Sequence, residues 1–545
     1  MTPSVSSMAS ADPEKGKLEG ASSVAVLPAA SRTGTLMASG SNQHGGLSSY
    51  LPDVKEEEED EGAAVAGFER HSYTEEEEKA VKRKLDRRVI PILAAVYFSQ
   101  FFDKNSLTYS SVMGLPIKGQ HYNLIASAFY VGFVIFEIPT SALAQRFPRA
   151  KYLGVNMMLW ATFLILHAAT ANFPFFYVMR FFLGVFECCV SPILISYIAS
   201  MYPKTQQAKR ISCFYCMNGL TNMFGGLVAW AVTFYKGDGI AHWRIMYLIM
   251  GGLAFAVATW VLVALPDSLA TADFLTEREK IVAFERVRDN QTGSRQKHIK
   301  WYQVREAITD PKTYILLLLT FLSSIPNGGL ASFSSLLLKG FGYTSRETLL
   351  LQIPRGFIAA CTTVTVCFLS DRFQRRMLPI LISIIPTLIG AALMVGFSGG
   401  GSKSDNKSGS LAGIFMAETY GSALALQYAW TASNTGSSTK KSVVNGMFLV
   451  AFGLGNIAGT FIFQSRDAPS YTPGKIAVLV LFAIMVPTVL CMHFYTNYLN
   501  KQKDRKLAAL IAEHGWTDED VQRERDRAAF LDLTDRENVY HRYVN

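Results

Sequence analysis

The sequence predicts an all-α polytopic membrane protein, with twelve transmembrane helices in two six-helix pseudo-repeats. Three observations carry this expectation. Half of the 545 residues are hydrophobic and only 17% are charged, against about 25% in soluble domains, and the mean hydropathy is +0.19. The charges are segregated into the first ~90 residues, a central stretch at 266–312 and the tail after about 500. Between them lie apolar runs long enough to supply the roughly 20 helical residues that cross a ~30 Å hydrocarbon layer.

Residues 1–85 are rich in Ser, Gly and Ala and include the acidic run KEEEEDEG at 55–62. That composition cannot bury enough surface to fold, which predicts a disordered cytosolic tail. The opening MTPSVSSMASADPEKGKLEG has no apolar core, so the first span directs insertion. The first half, 86–265, holds spans at 89–112, 123–145, 151–171, 174–201, 211–235 and 243–265. A cytosolic loop at 266–312 leads to the second half, 313–498. Its spans are 313–338, 348–370, 378–398, 411–432, 443–464 and 475–498, and a cytosolic tail, 499–545, follows. Lys82, Arg83, Lys84, Arg87 and Arg88 precede the first span. The positive-inside rule then predicts that both termini are cytosolic.

QRFPR at 145–149 follows the second span and DRFQR at 371–375 follows the eighth. This echo is the mark of parallel repeats, and it makes Arg146, Asp371 and Arg372 candidate gating residues. The net charge of +9 comes from basic residues at helix ends and implies no nucleic-acid partner. All seven cysteines lie in apolar helices. Cys213-Phe-Tyr-Cys216 lacks the second pair that a zinc site needs and is expected to be buried small hydrophobes. No nucleophile motif, metal-ligand spacing or phosphate loop is present, which argues against an enzyme and against a cofactor or metal.

Within the spans stand Asp103, Lys104, Glu137, Arg180, Glu187, Arg355 and Glu418. Each costs about 2.5–3.5 kcal/mol at a helix centre on insertion scales, so such residues face the bundle interior or a wet cavity. Asp103 and Lys104 point about 100° apart on a helix; one faces the cavity and the other a neighbouring helix. Arg180, Gly184 and Glu187, at i, i+4 and i+7, share a face. A structural salt bridge is the alternative reading for this pair. Arg and Lys are the groups that hold a carboxylate in a low-dielectric cavity, and a buried acid can load and release a proton.

The stretches LDRRVIPILAAVYFSQFFDKNSLTYSSVMG, FVIFEIPTSALAQRFPRAKYLGVN, RFFLGVFECCVSP, IPNGGLASFSSLLLKGFGYTS and FLDLTDRENVYHRYVN resemble the major facilitator superfamily. Within it they resemble the anion:cation symporters of the fungal allantoate permease group, over roughly 85–545. The resemblance implies proton-driven import of a small organic anion across the plasma membrane by a monomer. Allantoate, ureidosuccinate, a dipeptide or a vitamin carboxylate would fit. It also implies substrate-binding roles for Lys104, Arg180, Arg355 and Asn327. Glu187 is the first choice of proton carrier, with Asp103, Glu137 and Glu418 next. Two positions depart from the family pattern. Gln145 stands where the loop motif has Asp, and Asn327-Gly328 where some relatives carry a seventh-helix Arg, whose role Arg355 would take. The absence of proline from NGLTNMFGG at 218–226 favours uptake. An efflux carrier and a solute-binding membrane sensor remain alternatives. Asn406 in the loop GSKSDNKSGS is expected to be extracellular and glycosylated, and Asn290 cytosolic and unmodified.

Overall fold

The structure, a computed structural model, describes residues 72–237, 239–288, 300–373, 375–397, 407–529 and 533–544. Residues 1–71 of the tail expected over 1–85 lie outside the described residues, as do Asn290 and Asn406. Among the described residues the regular structure is helical throughout, with no strand.

The first helix, α1 (Glu75–Lys104), begins before the expected tail boundary at 85. Its start is set by a capping box: Glu77 N–H donates to the Thr74 hydroxyl, and Thr74 N–H to the Glu77 carboxylate. Four glutamates in the first turn face the positive end of the helix dipole. These turns are held by α10 (Glu277–Arg288) through Arg278–Glu77, Lys84–Glu279 and Arg286–Glu78 pairs. The central loop expected at 266–312 is therefore partly helical, and α11 (Trp301–Thr309) adds a second helix to it.

α1 breaks at Asn105 and continues as α2 (Ser106–Val112). Then come α3 (Gln120–Arg146), α4 (Arg149–Leu166), α5 (Phe173–Glu187) with α6 (Val190–Met201), α7 (Lys204–Tyr215) with α8 (Met217–Val232), and α9 (His242–Ala264). The second half runs through α12 (Pro311–Gly340), α13 (Ser345–Leu350) with α14 (Gln352–Phe373), and α15 (Met377–Gly396). It ends with α16 (Lys407–Ala417), α17 (Gly421–Ser433), α18 (Ser438–Thr460) and α19 (Thr472–His514). Eight described helical stretches are long and apolar enough to cross a membrane by composition alone. The other four predicted spans fall on α1–α2, α4, α7–α8 and α16–α17, the broken or charge-bearing segments.

An even number of crossings returns the chain to the face where it began, the terminal face; the opposite one is the far face. Hydrogen bonds tie the two halves together toward the far face. Thr108 bonds to the Ser335 hydroxyl at 3.2 Å, and Tyr122 donates to the Ser332 carbonyl at 2.6 Å. Asn123 donates to the Thr460 and Phe463 carbonyls at 2.6 and 2.7 Å. The halves also meet where α8 crosses α14. A Cβ on Gly219 would lie 2.7 Å from the Gly356 carbonyl oxygen, and one on Gly356 2.6 Å from that of Gly219. Backbone rests on backbone there, a contact only glycine permits.

The expected cytosolic tail at 499–545 is structured where it is described. α19 runs on to His514, α20 (Asp518–Ala529) follows, and residues 533–544 fold back onto the terminal face of the second half. Asp535 is fully buried. Its carboxylate accepts from Lys312, from Lys440 at 2.7 Å, from the Gly436 N–H at 3.2 Å and from the Tyr543 hydroxyl at 2.9 Å. Burial opposes ionisation, but the Lys312 and Lys440 charges outweigh it and hold this carboxyl well below the usual range. Lys440 also pairs with Glu306 and Asp310. Lys503 donates to the Asn538 and His541 carbonyls, and Trp430 Nε1 to that of Val544. The signal missed was the string of buried lysines at the helix ends, which require an acid from elsewhere.

His541 sits within this dock, where burial and the Lys503 charge push it down to about 4. An unfolded histidine takes up a proton near pH ~6.5. The docked segment keeps His541 neutral, so its contribution is complete above ~6.5 and declines as pH falls towards 4. Limited proteolysis within 533–544 is expected to be faster at pH 5 than at pH 7, and His541→Gln to flatten that difference. Equal cleavage at both values in the parent chain contradicts this.

The seven cysteines form no disulfide among the described residues. Cys213 is exposed, contrary to the expected burial, and Cys216 half-buried, because α7 ends at Tyr215 and the pair spans the break.

Candidate functional site

A cavity lies between the halves, lined from the first half by Lys104 and Asn222 and from the second by Asn327, Arg355, Glu418 and Tyr420. Lys104 is the last residue of α1. The helix is interrupted at Asn105, whose amide donates to Asn222 at 2.7 Å. The ammonium lies 5.5 Å from the ring centres of Phe101 and Tyr130 and 5.9 Å from that of Phe452. It makes no ion pair among the described residues. Ring faces stabilise a cation by about 0.5–2 kcal/mol without neutralising it.

Asp103, one residue earlier, is buried inside the first half, and neither carboxylate oxygen has a hydrogen-bond partner among the described residues. Its charge interacts with those of Glu187, Arg180 and Lys104. The helix angle thus separates the adjacent pair, the base to the cavity and the acid to the bundle.

On α5, Arg180, Gly184 and Glu187 are all buried on the shared face. Arg180 does not line the cavity. Its guanidinium donates to the Ser106 hydroxyl at 2.8 Å and to the Tyr247 hydroxyl at 3.2 Å, tying α5 to α2 and α9. Glu187 interacts with Lys104, Gln100, Arg180 and Asp103. A cluster of two acids and an arginine therefore stands behind Lys104, and Lys104 faces both the cluster and the cavity.

The second half presents a closed pair. Arg355 Nε donates to Glu418 at 2.6 Å, and its Nη1 to Gln352 at 3.0 Å. Glu418 opens the 3-10 turn Glu418–Tyr420 that splits the tenth span between α16 and α17. Asn327 donates to Asn456 at 2.7 Å and accepts from Tyr420 at 3.1 Å.

Glu137 is buried on α3 with neither oxygen hydrogen-bonded among the described residues, in the neighbourhood of Cys188 and Tyr428 and away from the cavity lining. Arg146 and Arg372 are exposed at the terminal-face ends of α3 and α14, apart from the cavity. The side chain of Asp371 lies outside those described. The sequence reading missed Asn105, Asn222 and Tyr420. The two asparagines carry the signal that exposed the charges, a polar group inside an apolar span; Tyr420 carries none.

The arrangement offers one cation without an ion-pair partner among the described residues, an aromatic wall and several amide and hydroxyl groups in a water-sized gap between two packed halves. That chemistry suits a small anion with hydrogen-bonding groups.

The Major Facilitator Superfamily profile matches residues 89–460. The chain is 31% identical to the allantoate permease of Saccharomyces cerevisiae, over 86% of this chain and 87% of that one. It is 30% identical to a thiamine pathway transporter of the same yeast, over 89% and 90% of the two chains. Among solved structures, a bacterial homologue of the human lysosomal transporter Spinster, inward-facing and unoccupied, superposes with a TM-score of 0.56. It is 16% identical, covering 77% of this chain and 98% of that one.

Proposed function

Because the chain belongs to the major facilitator superfamily and is a multi-pass membrane transporter rather than an enzyme, we propose that it imports a small organic anion with protons. In this reading it acts as a monomer at the plasma membrane, with the terminal face in the cytosol. The basic flank Lys82–Arg88 supports that orientation. The far-face bonds then close the extracellular side, and the cavity is presented to the cytosol.

The observation that carries the reading is Lys104, a cavity cation with no ion-pair partner among the described residues and two buried acids behind it. An empty cavity leaves the Lys104 charge to Glu187 and Asp103. An entering carboxylate takes that charge for itself, and a proton on the cluster then replaces what the acids have lost. Arg355 stays neutralised by Glu418 and supplies the outer wall, while Asn327, Asn222 and Tyr420 offer hydrogen bonds to the rest of the solute. The yeast allantoate permease supports a carboxylate of ureide type as substrate.

Lys104→Gln removes one charge-assisted hydrogen bond, worth about 1.5–3 kcal/mol. Uptake of radiolabelled allantoate in cells lacking their own carrier is expected to show an apparent affinity about 10- to 100-fold weaker, with surface expression unchanged. Unchanged affinity in this variant removes Lys104 from the binding role.

A further inference from the structure

A second cavity, of about 510 Å³, opens beside the first half at its terminal face. It lies between α1 and α9, far from the transport cavity. Its apolar floor is Ile92 of α1 with Trp260 and Ala264 of α9, and the Trp260 ring is 42% exposed. Its rim is basic, made by Lys84, Arg87 and Arg88.

The charges on this rim are unevenly committed. Lys84 is paired with Glu279 at 2.7 Å, and the nearby Asp86 is taken by Arg210 at 2.7 Å. Arg87 and Arg88 are exposed and make no ion pair among the described residues. Both stand immediately before the apolar run that begins at Val89, at the depth where hydrocarbon gives way to headgroups. The opening is thus charged at one end and apolar at the other, along the direction of the membrane normal. A free anion would use only the rim, and a hydrocarbon chain only the floor. An amphiphile with an anionic head uses both.

We propose that this cavity binds one anionic phospholipid of the leaflet on the terminal face. Arg87 and Arg88 hold the headgroup phosphate, and an acyl chain lies along Ile92, Trp260 and Ala264. Guanidinium forks match phosphate oxygens two at a time, and basic pockets between transmembrane helices are suited to anionic headgroups. A zwitterionic lipid carries its own ammonium close to the phosphate and gains less from the rim. The lipid would bridge α1 to α9, and α1 carries Lys104 at its other end.

The test uses the full chain in nanodiscs of phosphatidylcholine alone or with phosphatidylinositol, read by native mass spectrometry and by thermal melting. One phosphatidylinositol per chain is expected to be retained after detergent exchange, and melting to rise with it. The double variant Arg87→Gln/Arg88→Gln should retain at least about tenfold less. Trp260→Ala, on the exposed ring, should weaken retention with the rim intact. Arg505→Gln/Lys506→Gln, at an exposed basic pair elsewhere, should leave it unchanged. Equal retention by the rim variant, equal retention of phosphatidylcholine, or an equal loss in the control pair overturns the proposal. Stabilisation by soluble inositol hexakisphosphate equal to that by the lipid overturns it too, by assigning the rim to a free phosphate compound.

Discussion

Asp535→Asn is expected to cost on the order of 3–5 kcal/mol of stability, the range for leaving a buried charge without its partner. Asp535 is fully buried, and Lys312 and Lys440, the two cations it serves, are almost completely so. The asparagine keeps the shape but leaves two ammonium groups to share Asp310 and Glu306. The purified variant should melt well below the parent chain, or fail to accumulate. Arg536→Gln is the internal comparison, since Arg536 pairs with Asp310 at 3.1 Å but is 43% exposed. Its loss should cost no more than about 1 kcal/mol. Because the folded Asp535 carboxyl is held below its unfolded value, its contribution is present above ~3.9 and lost only as pH falls through the lower, folded value. Titration of Asp535 itself should therefore add no pH dependence to the gap between parent and Asp535→Asn above pH 5.5. An unaltered melting point for Asp535→Asn would show that the dock contributes nothing to stability.

Glu187→Gln is expected to abolish accumulation while sparing exchange. The amide imitates a protonated carboxyl, so the cluster behind Lys104 is fixed in the state that accompanies bound anion. Substrate should bind and exchange across the membrane at rates within a few-fold of the parent. Uptake against a gradient should fall by at least about tenfold, and the acceleration at acidic external pH should vanish. Reciprocity requires it: if anion binding favours protonation, protonation favours anion binding by the same factor. A Glu187→Gln transporter that concentrates substrate normally transfers the role to Asp103, which shares the same cations. Glu137 and Glu418 follow, the first remote from the cavity and the second already paired.

The membrane fold was legible because its signals are local and repeated, in apolar runs bounded by charge and in a loop motif echoed across the halves. The intramembrane charges were legible for the same reason, since each is costly where it stands. Which of them meet was not. Arg180 and Glu187 share a face in the sequence as in the structure, yet Arg180 spends its hydrogen bonds on Ser106 and Tyr247. Pairings of this kind depend on how helices distant in sequence are packed, which helical periodicity does not encode. The helical start at Glu75 was legible in principle from Thr74-x-x-Glu77 and was masked by the acidic composition around it. The ordered segment 533–544 was hidden because most of its partners, among them Lys312, Trp430 and Lys440, lie about a hundred or more residues upstream.

That separation has a consequence in time. Lys312 and Asp535 are 223 residues apart. At roughly 5–20 residues per second, a ribosome makes Asp535 about 10–45 s after Lys312. For that interval Lys312, and Lys440 once it is made, have only Glu306, Asp310 and solvent to answer their charge. The helix ends that bear them lack one of their acids while the first half is already made. The last acid of the second half's charge cluster is thus supplied only when nearly all of the membrane-spanning chain has been made.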